Sequence, residues 1–431
     1  MRTKALVLTI LLFSIISAVS ALPAPSCDAY SSALADSPVT TAVSNTGNVI
    51  AIGGAGGTIG TFAPEGSPRW VYRVPDPVTG IAVSGDGRFV AATTLYGELY
   101  YFDDEGRLLW NRSGFGCNSR VALSRDGLEG YVFSGSPTHD LTGDTVFHVA
   151  GNGTVLSRLP VPAISSYGLS RDGRVAVANS GGAPGSNYIV AIDDAGIRWE
   201  KTSPRQWRVP YVAVSDDGNT VAAAEPGYLT AFSCWGRELW NTSTKYIAKS
   251  VAVSGNGQYI LAGTQYQVVN YNRSGSLVWE YPVPDYVGSI RVSQDGTKIF
   301  ATTRQTLYCL DGNGTSLWQY SLPDWTASLS VSDAGDVIAA GTHNNTFTIL
   351  DGSGNATEID LDSVPVMPIV TAAPESPGNA PVSPARSQAA PVSPVLAGIA
   401  LSCMGVLWRR KNPEETVKKP GRADEPGGPG T

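Results

Sequence analysis

The residues best placed to do chemistry stand in short loops between apolar segments. Asp76, Arg205, Trp207, Arg208, Tyr211, Asp285, Tyr286, Asp324 and Trp325 combine aromatic rings with charge. An aromatic face bordered by polar groups suits a sugar ring or a peptide side chain. His139, Asp140 and Asp144 lie in an insertion over residues 134–144, and a second insertion follows at 179–187. Arg291 replaces a small residue in a strand-like run, so it either pairs with a carboxylate or presents its charge to an interior channel. All of these are expected ligand contacts.

The same inventory argues against a built-in zinc, haem or iron–sulfur centre. Cys27, Cys117, Cys234, Cys309 and Cys403 are far apart and form no CxxC pair or haem motif. The only histidines are His139, His148 and His343, with no HExxH. Turns such as Asp103-Asp-Glu-Gly106, Asp193-Asp-Ala-Gly196 and Asp311-Gly-Asn-Gly314 lack the alternating carboxylates of a calcium loop. No metal centre, cofactor or catalytic group is therefore expected. Net charge is −7 with scattered basic residues, so there is no basic stripe for nucleic acid.

A repeat positions these loops. Eight short units end in serine, at Ser44, Ser84, Ser124, Ser170, Ser215, Ser254, Ser293 and Ser332. Their spacings are 40, 40, 46, 45, 39, 39 and 39 residues. A period near 40 built of strands is the signature of a propeller array. Residues one and three before the serine are apolar, as with Ile81 and Val83 or Ile290 and Val292, a period of two. Repeat 1 departs, with Thr41 at the outer position. Asp-Gly or Asn-Gly follows in six repeats, suiting a tight hairpin. Two further strands, a second glycine turn and a fourth strand complete each unit.

Trp70, Trp110, Trp240, Trp279 and Trp318 stand four residues after that second glycine, and Trp199 three after. Ser157 and Glu358 replace it in repeats 3 and 8. Six tryptophans at one repeat position point to packing between neighbouring sheets. Four strands per unit must bury both faces, which radial packing achieves. The expected fold is all-β, a β-propeller of eight four-stranded blades, with seven as the alternative. Loops after strands two and four would share one face, here called the top. All the expected contacts except Arg291 map there.

The unit V-S-x-D-G-x-x-V-A-A…L-Y-x-F-D-x-x-G-x-L-L-W resembles PQQ-like and WD40-like propeller repeats. The layout as a whole is similar to propeller surface proteins of archaea, methanogens in particular. Quinoprotein dehydrogenases share the glycine–tryptophan turn, but their adjacent cysteines are missing here. Sialidase Asp-boxes end in Thr-Trp, which the Ser84-Gly-Asp-Gly87 type of turn lacks.

Flanking segments complete the expected layout. Arg2 and Lys4 precede the apolar run Ala5–Val19, so residues 1–21 are expected to be a signal peptide and 22–35 a lead-in. The propeller is placed at 36–364. Residues 365–394 are proline-rich, as in an extended stalk. Residues 395–408 are expected to be a transmembrane anchor, and Arg409-Arg410-Lys411 places the tail 409–431 on the cytoplasmic side. Seven N-x-S/T sequons, at Asn111, Asn152, Asn241, Asn272, Asn313, Asn344 and Asn355, are available for glycosylation, and only Asn344 maps to the top.

The resulting expectation is a non-catalytic, membrane-anchored surface propeller, with the propeller outside. Its partner would be an envelope protein or polysaccharide. An extracellular propeller enzyme, quinoprotein-like or glycan-processing, and a spacer without ligand are the alternatives.

Overall fold

The computed structural model describes residues 39–371, apart from 136–143, 162–163, 174–175, 181–187 and 203–210. Among them are eight antiparallel sheets of consecutive strands, spanning 39–73, 78–112, 117–161, 164–202, 211–243, 248–282, 289–321 and 326–360, numbered 1–8 below. Sheet 2 carries a fifth strand, Val370–Thr371, parallel to its outer strand Arg107–Arg112. The chain is thus a β-propeller. No helix among the described residues is long and apolar enough to cross a membrane. The signal and anchor segments lie outside those residues.

The apolar core is divided into eight clusters, each shared by two neighbouring sheets. Trp70 and Tyr72 of sheet 1 pack with Ile81, Val90 and Phe102 of sheet 2, for example. The last cluster joins Ile50, Ile52 and Phe62 of sheet 1 to Ala339, Phe347 and Ile349 of sheet 8. Burial on both faces explains why the second and third strands read as nearly continuous small and apolar residues. It also closes the ring. Thr41, which breaks the repeat pattern, donates to Ala339 O at 3.3 Å, while Ser330 Oγ donates to Thr41 O at 2.7 Å. Ser328 Oγ adds a bond to Val39 O at 2.8 Å.

The repeat serine is a hairpin clasp. Ser215 Oγ donates to Asp217 Oδ1 at 2.5 Å and accepts the Thr220 N–H at 3.0 Å. Asp217 Oδ1 in turn accepts the Asn219 N–H. The same arrangement recurs at Ser84–Asp86 and Ser293–Asp295. All eight serines are buried, and hydrogen bonding is what makes a buried hydroxyl tolerable.

Beside these clasps, backbone bonds join one hairpin turn to the next. Asn45 N–H donates to Gly85 O, Arg125 N–H to Arg171 O, Arg171 N–H to Asp216 O, Gln294 N–H to Asp333 O, and Asp333 N–H to Asn45 O. Asp86, Asp217 and Gly255 supply the remaining donors, to Arg125 O, Gly255 O and Gln294 O, so the bonds run through all eight sheets and return to the start. Arg171 in sheet 4 also pairs with Asp216, at 2.8 Å, and with Asp333 in sheet 8.

The six repeat tryptophans dock on the neighbouring sheet. Each indole N–H donates to a carbonyl in the next sheet's outer turn, as Trp110 does to Gly151 O at 2.7 Å and Trp279 to Gly312 O at 2.8 Å. Trp70, Trp199, Trp240 and Trp318 do the same. The turn glycine lies flat against the ring, so a Cβ on Gly314 would stand 2.6 Å from Trp279. The two departures resolve differently. At the closing seam Thr357 sits against Gly66 in place of an indole, whereas opposite Ser157 the Gly196 turn meets nothing within 4 Å.

Candidate functional site

Strand direction alternates within each sheet, so loops after the second strand and between sheets gather on the face away from the serine clasps. Their backbones are laced together. Val283 N–H donates to Tyr266 O, Val287 N–H to Thr264 O, Leu322 N–H to Gln305 O, and His343 N–H to Trp325 O. Each of these inter-sheet loops is thereby held against a loop that follows a second strand.

Over sheets 6–8 this lacing assembles several of the expected contacts. Asp285 Oδ2 lies 2.9 Å from Arg304 Nε. The same guanidinium sits 5.1 Å from the Trp325 ring centroid, and Trp325 is 53% exposed. Asp285 Oδ1 accepts the Tyr286 N–H at 2.7 Å, and Lys249 Nζ lies 4.0 Å over the Tyr286 ring. Next to them Tyr246 meets the exposed Tyr266 edge-on at 5.2 Å, with Lys245 over Tyr246. An arginine fixed by a carboxylate and an exposed indole make an amphipathic surface whose rings are already ordered, which limits the entropy lost on binding.

The other expected contacts are distributed elsewhere. Asp76 sits over the seam of sheets 1 and 2, where burial and the Glu98 charge push its carboxyl above the ordinary range. Asp144 is buried and accepts the Ile164 N–H, a tie between sheets 3 and 4. Tyr211 is 40% exposed at the start of sheet 5, and Asp324 is half-buried beside Trp325. His139, Asp140, Arg205, Trp207 and Arg208 lie outside the described residues.

Arg291 faces the central channel and makes no ion pair among the described residues. Its guanidinium donates to Ile290 O at 2.8 Å. The surrounding protein disfavours its charge and lowers its pKa, although the side chain is open to the channel. Arg120 stands in the same channel and donates to Thr79 O at 3.3 Å. Of the sequons, Asn272 is half-buried with its side chain in a turn, and the other six asparagines are exposed.

Sequence reasoning missed Arg304, Lys249 and Tyr266. Arg304 follows the second strand of sheet 7 in a loop too short to draw notice. Only the position of Trp325 on the next loop gives it a role.

The fold and these loops define a propeller whose loop face carries a group of exposed aromatic and charged side chains. The family described as outer membrane protein assembly factor BamB matches residues 142–285 and 225–365, more than half the chain. The chain belongs to this PQQ-like family. No curated protein matches it. The structure is similar to Sqt1 of Chaetomium thermophilum bound to the N-terminus of ribosomal protein L10. That likeness has 12% identity and a TM-score of 0.62, covering 73% of this chain and 97% of that one. BamB of Moraxella catarrhalis is similar at 18% identity and a TM-score of 0.54, covering 74% and 95%.

Proposed function

We propose that this protein is a secreted, membrane-anchored, eight-bladed propeller that binds an envelope protein or polysaccharide through its loop face, without catalysing a reaction. The observation that carries this reading is the Asp285–Arg304–Trp325 cluster with Tyr286 beside it. Cys117 is disulfide-bonded, in keeping with an oxidising compartment. Arg171 ties the clasp face together across the ring, which favours the opposite face for ligand contact.

The test is binding of the full-length protein to envelope from the source cells, compared with a Tyr286→Ala, Arg304→Ala, Trp325→Ala variant. A single aromatic or arginine hot spot costs about 2 kcal/mol or more on truncation, so one such residue among the three is enough to lower affinity by roughly 30-fold. Protease or periodate treatment of the envelope then separates a protein partner from a glycan. Equal binding by both proteins removes the loop-face assignment, and no binding by either supports the spacer reading.

A further inference from the structure

The seam between sheets 3 and 4 is where a tryptophan is replaced by Ser157. A cavity of about 230 Å³ occupies it, lined by Tyr131, His148, Ser157 and Arg158 on one side and by Ile192 and Asp194 on the other. Beneath Ser157 in strand register is His148, 4% exposed. The corresponding position is Thr61, Tyr101, Ala191, Ala231, Asn270 or Cys309 where an indole is present, none of them a metal-binding imidazole or carboxylate. His148 stacks on Tyr131 with ring centroids 4.6 Å apart and planes 2° from parallel, which fixes the direction of its ring nitrogens. Its Nε2 lies 3.3 Å from Glu129 Oε2. From the neighbouring sheet Asp194 brings a third donor, and one ligand atom from each residue lies within 4.8 Å of the other two.

We propose that Glu129, His148 and Asp194 bind a divalent first-row transition ion of the zinc type, bridging sheets 3 and 4 where the indole is missing. The donor chemistry selects the ion. One imidazole nitrogen and two carboxylates suit zinc at about 2.0–2.2 Å, with water in the fourth position. Calcium would demand six or more oxygens. The two carboxylates oppose the ion's charge, the Arg158 guanidinium in the same lining lies 5.5 Å from the Phe147 ring centroid, and the cavity exceeds the ~30 Å³ share of a water molecule. Glu129 and His148 belong to sheet 3 and Asp194 to sheet 4, so the ion links the two sheets much as an indole N–H and a carbonyl do at the other seams. Asp194 is exposed and stands on the solvent side of the site. The inference does not depend on the loop-face reading, because the site lies at the outer part of the opposite face.

The experiment is calorimetric titration of zinc chloride into EDTA-treated, full-length protein carrying no histidine tag, with magnesium and calcium chloride as comparators. One equivalent of zinc should bind and raise the unfolding temperature, with neither comparator competing. Changes in an outer hydrogen-bonding shell cost ~10–100-fold in metal affinity, so loss of a ligand in His148→Gln should weaken binding by more than about 100-fold. Asp194→Asn is the second variant, since an exposed residue can be changed without endangering the fold. Ser157→Trp, which refills the seam, should abolish binding while the protein stays folded. Absence of a one-to-one zinc complex overturns the proposal. So does zinc binding that persists unchanged in the His148 and Asp194 variants.

Discussion

Substituting a turn glycine should measure how tightly the indoles hold the ring. Gly314 and Gly227 both occupy turns with nearly the same backbone, at φ +83° and +79°. Alanine at either pays the left-handed penalty, about 1–2 kcal/mol. Their surroundings differ. A Cβ on Gly314 would stand 2.6 Å from Trp279, whereas one on Gly227 meets nothing within 4 Å. The indole cannot retreat freely, because its N–H is bonded to Gly312 O at 2.8 Å. Forcing it aside adds an overpacking cost of about 1–3 kcal/mol.

Gly227→Ala should therefore destabilise by about 1–2 kcal/mol and Gly314→Ala by about 2–5 kcal/mol. Urea unfolding midpoints followed by tryptophan fluorescence give the comparison directly when the slopes agree. The double variant Gly314→Ala, Trp279→Ala should be less destabilised than the sum of its parts, because removing the ring removes the clash. Equal midpoint shifts for the two alanine variants, with additive behaviour in the double, would refute docking as the source of seam stability.

Two further outcomes are expected. Burial acts to raise the Asp217 carboxyl, but the Ser215 hydroxyl and the Asn219 N–H outweigh it and hold the group below its ordinary value, and Asp86 and Asp295 behave alike. A depressed folded-state pKa contributes stability above the unfolded value near ~3.9 that is lost as pH falls through the folded one. Urea midpoints should therefore drop between about pH 5 and 3, and Asp217→Asn should flatten that limb; an unchanged slope argues against the clasp. Burial pushes the Cys309 thiol up to about 12, so iodoacetamide at pH 8 should label Cys234 and reach Cys309 only after unfolding. Equal native labelling of the two would contradict the packing of sheets 7 and 8.

The ring was legible in the sequence because each unit repeats the same local chemistry. A serine, an acidic residue and a glycine in fixed order specify a hairpin whose bonds are all within one turn. The docked tryptophans were legible for the same reason. Departures were visible as departures but not as solutions. Thr41 reads as a flaw in an apolar pattern until Ser328 and Ser330, nearly three hundred residues away, supply its partners. Loop contacts were only half readable. Asp285, Tyr286 and Trp325 stand out by type, yet their organiser, Arg304, is a lone charge in a short loop. His148 looked inert because neither Glu129 nor Asp194 stands at a metal-ligand spacing from it, and Asp194 belongs to the next sheet. Arg171 and Asp333 come from sheets 4 and 8, a pairing that no local spacing encodes.

Beyond sheet 8 the chain does not simply leave the ring. Met367 N–H bonds to Val71 O in sheet 1, and Val370–Thr371 then pairs with Arg107 and Leu108 in sheet 2. Sheets 1 and 8 are neighbours without a direct chain connection between them, so the last described stretch of the chain crosses the ring's open joint. Tension applied from the C-terminal side would reach sheet 2 before sheet 8. As long as the two-residue pairing held, the pull would fall on the outer edge of sheet 2, leaving the serine bonds at the joint unloaded. The strap works as a strain relief, in the sense that a cable clamp spares the terminal behind it.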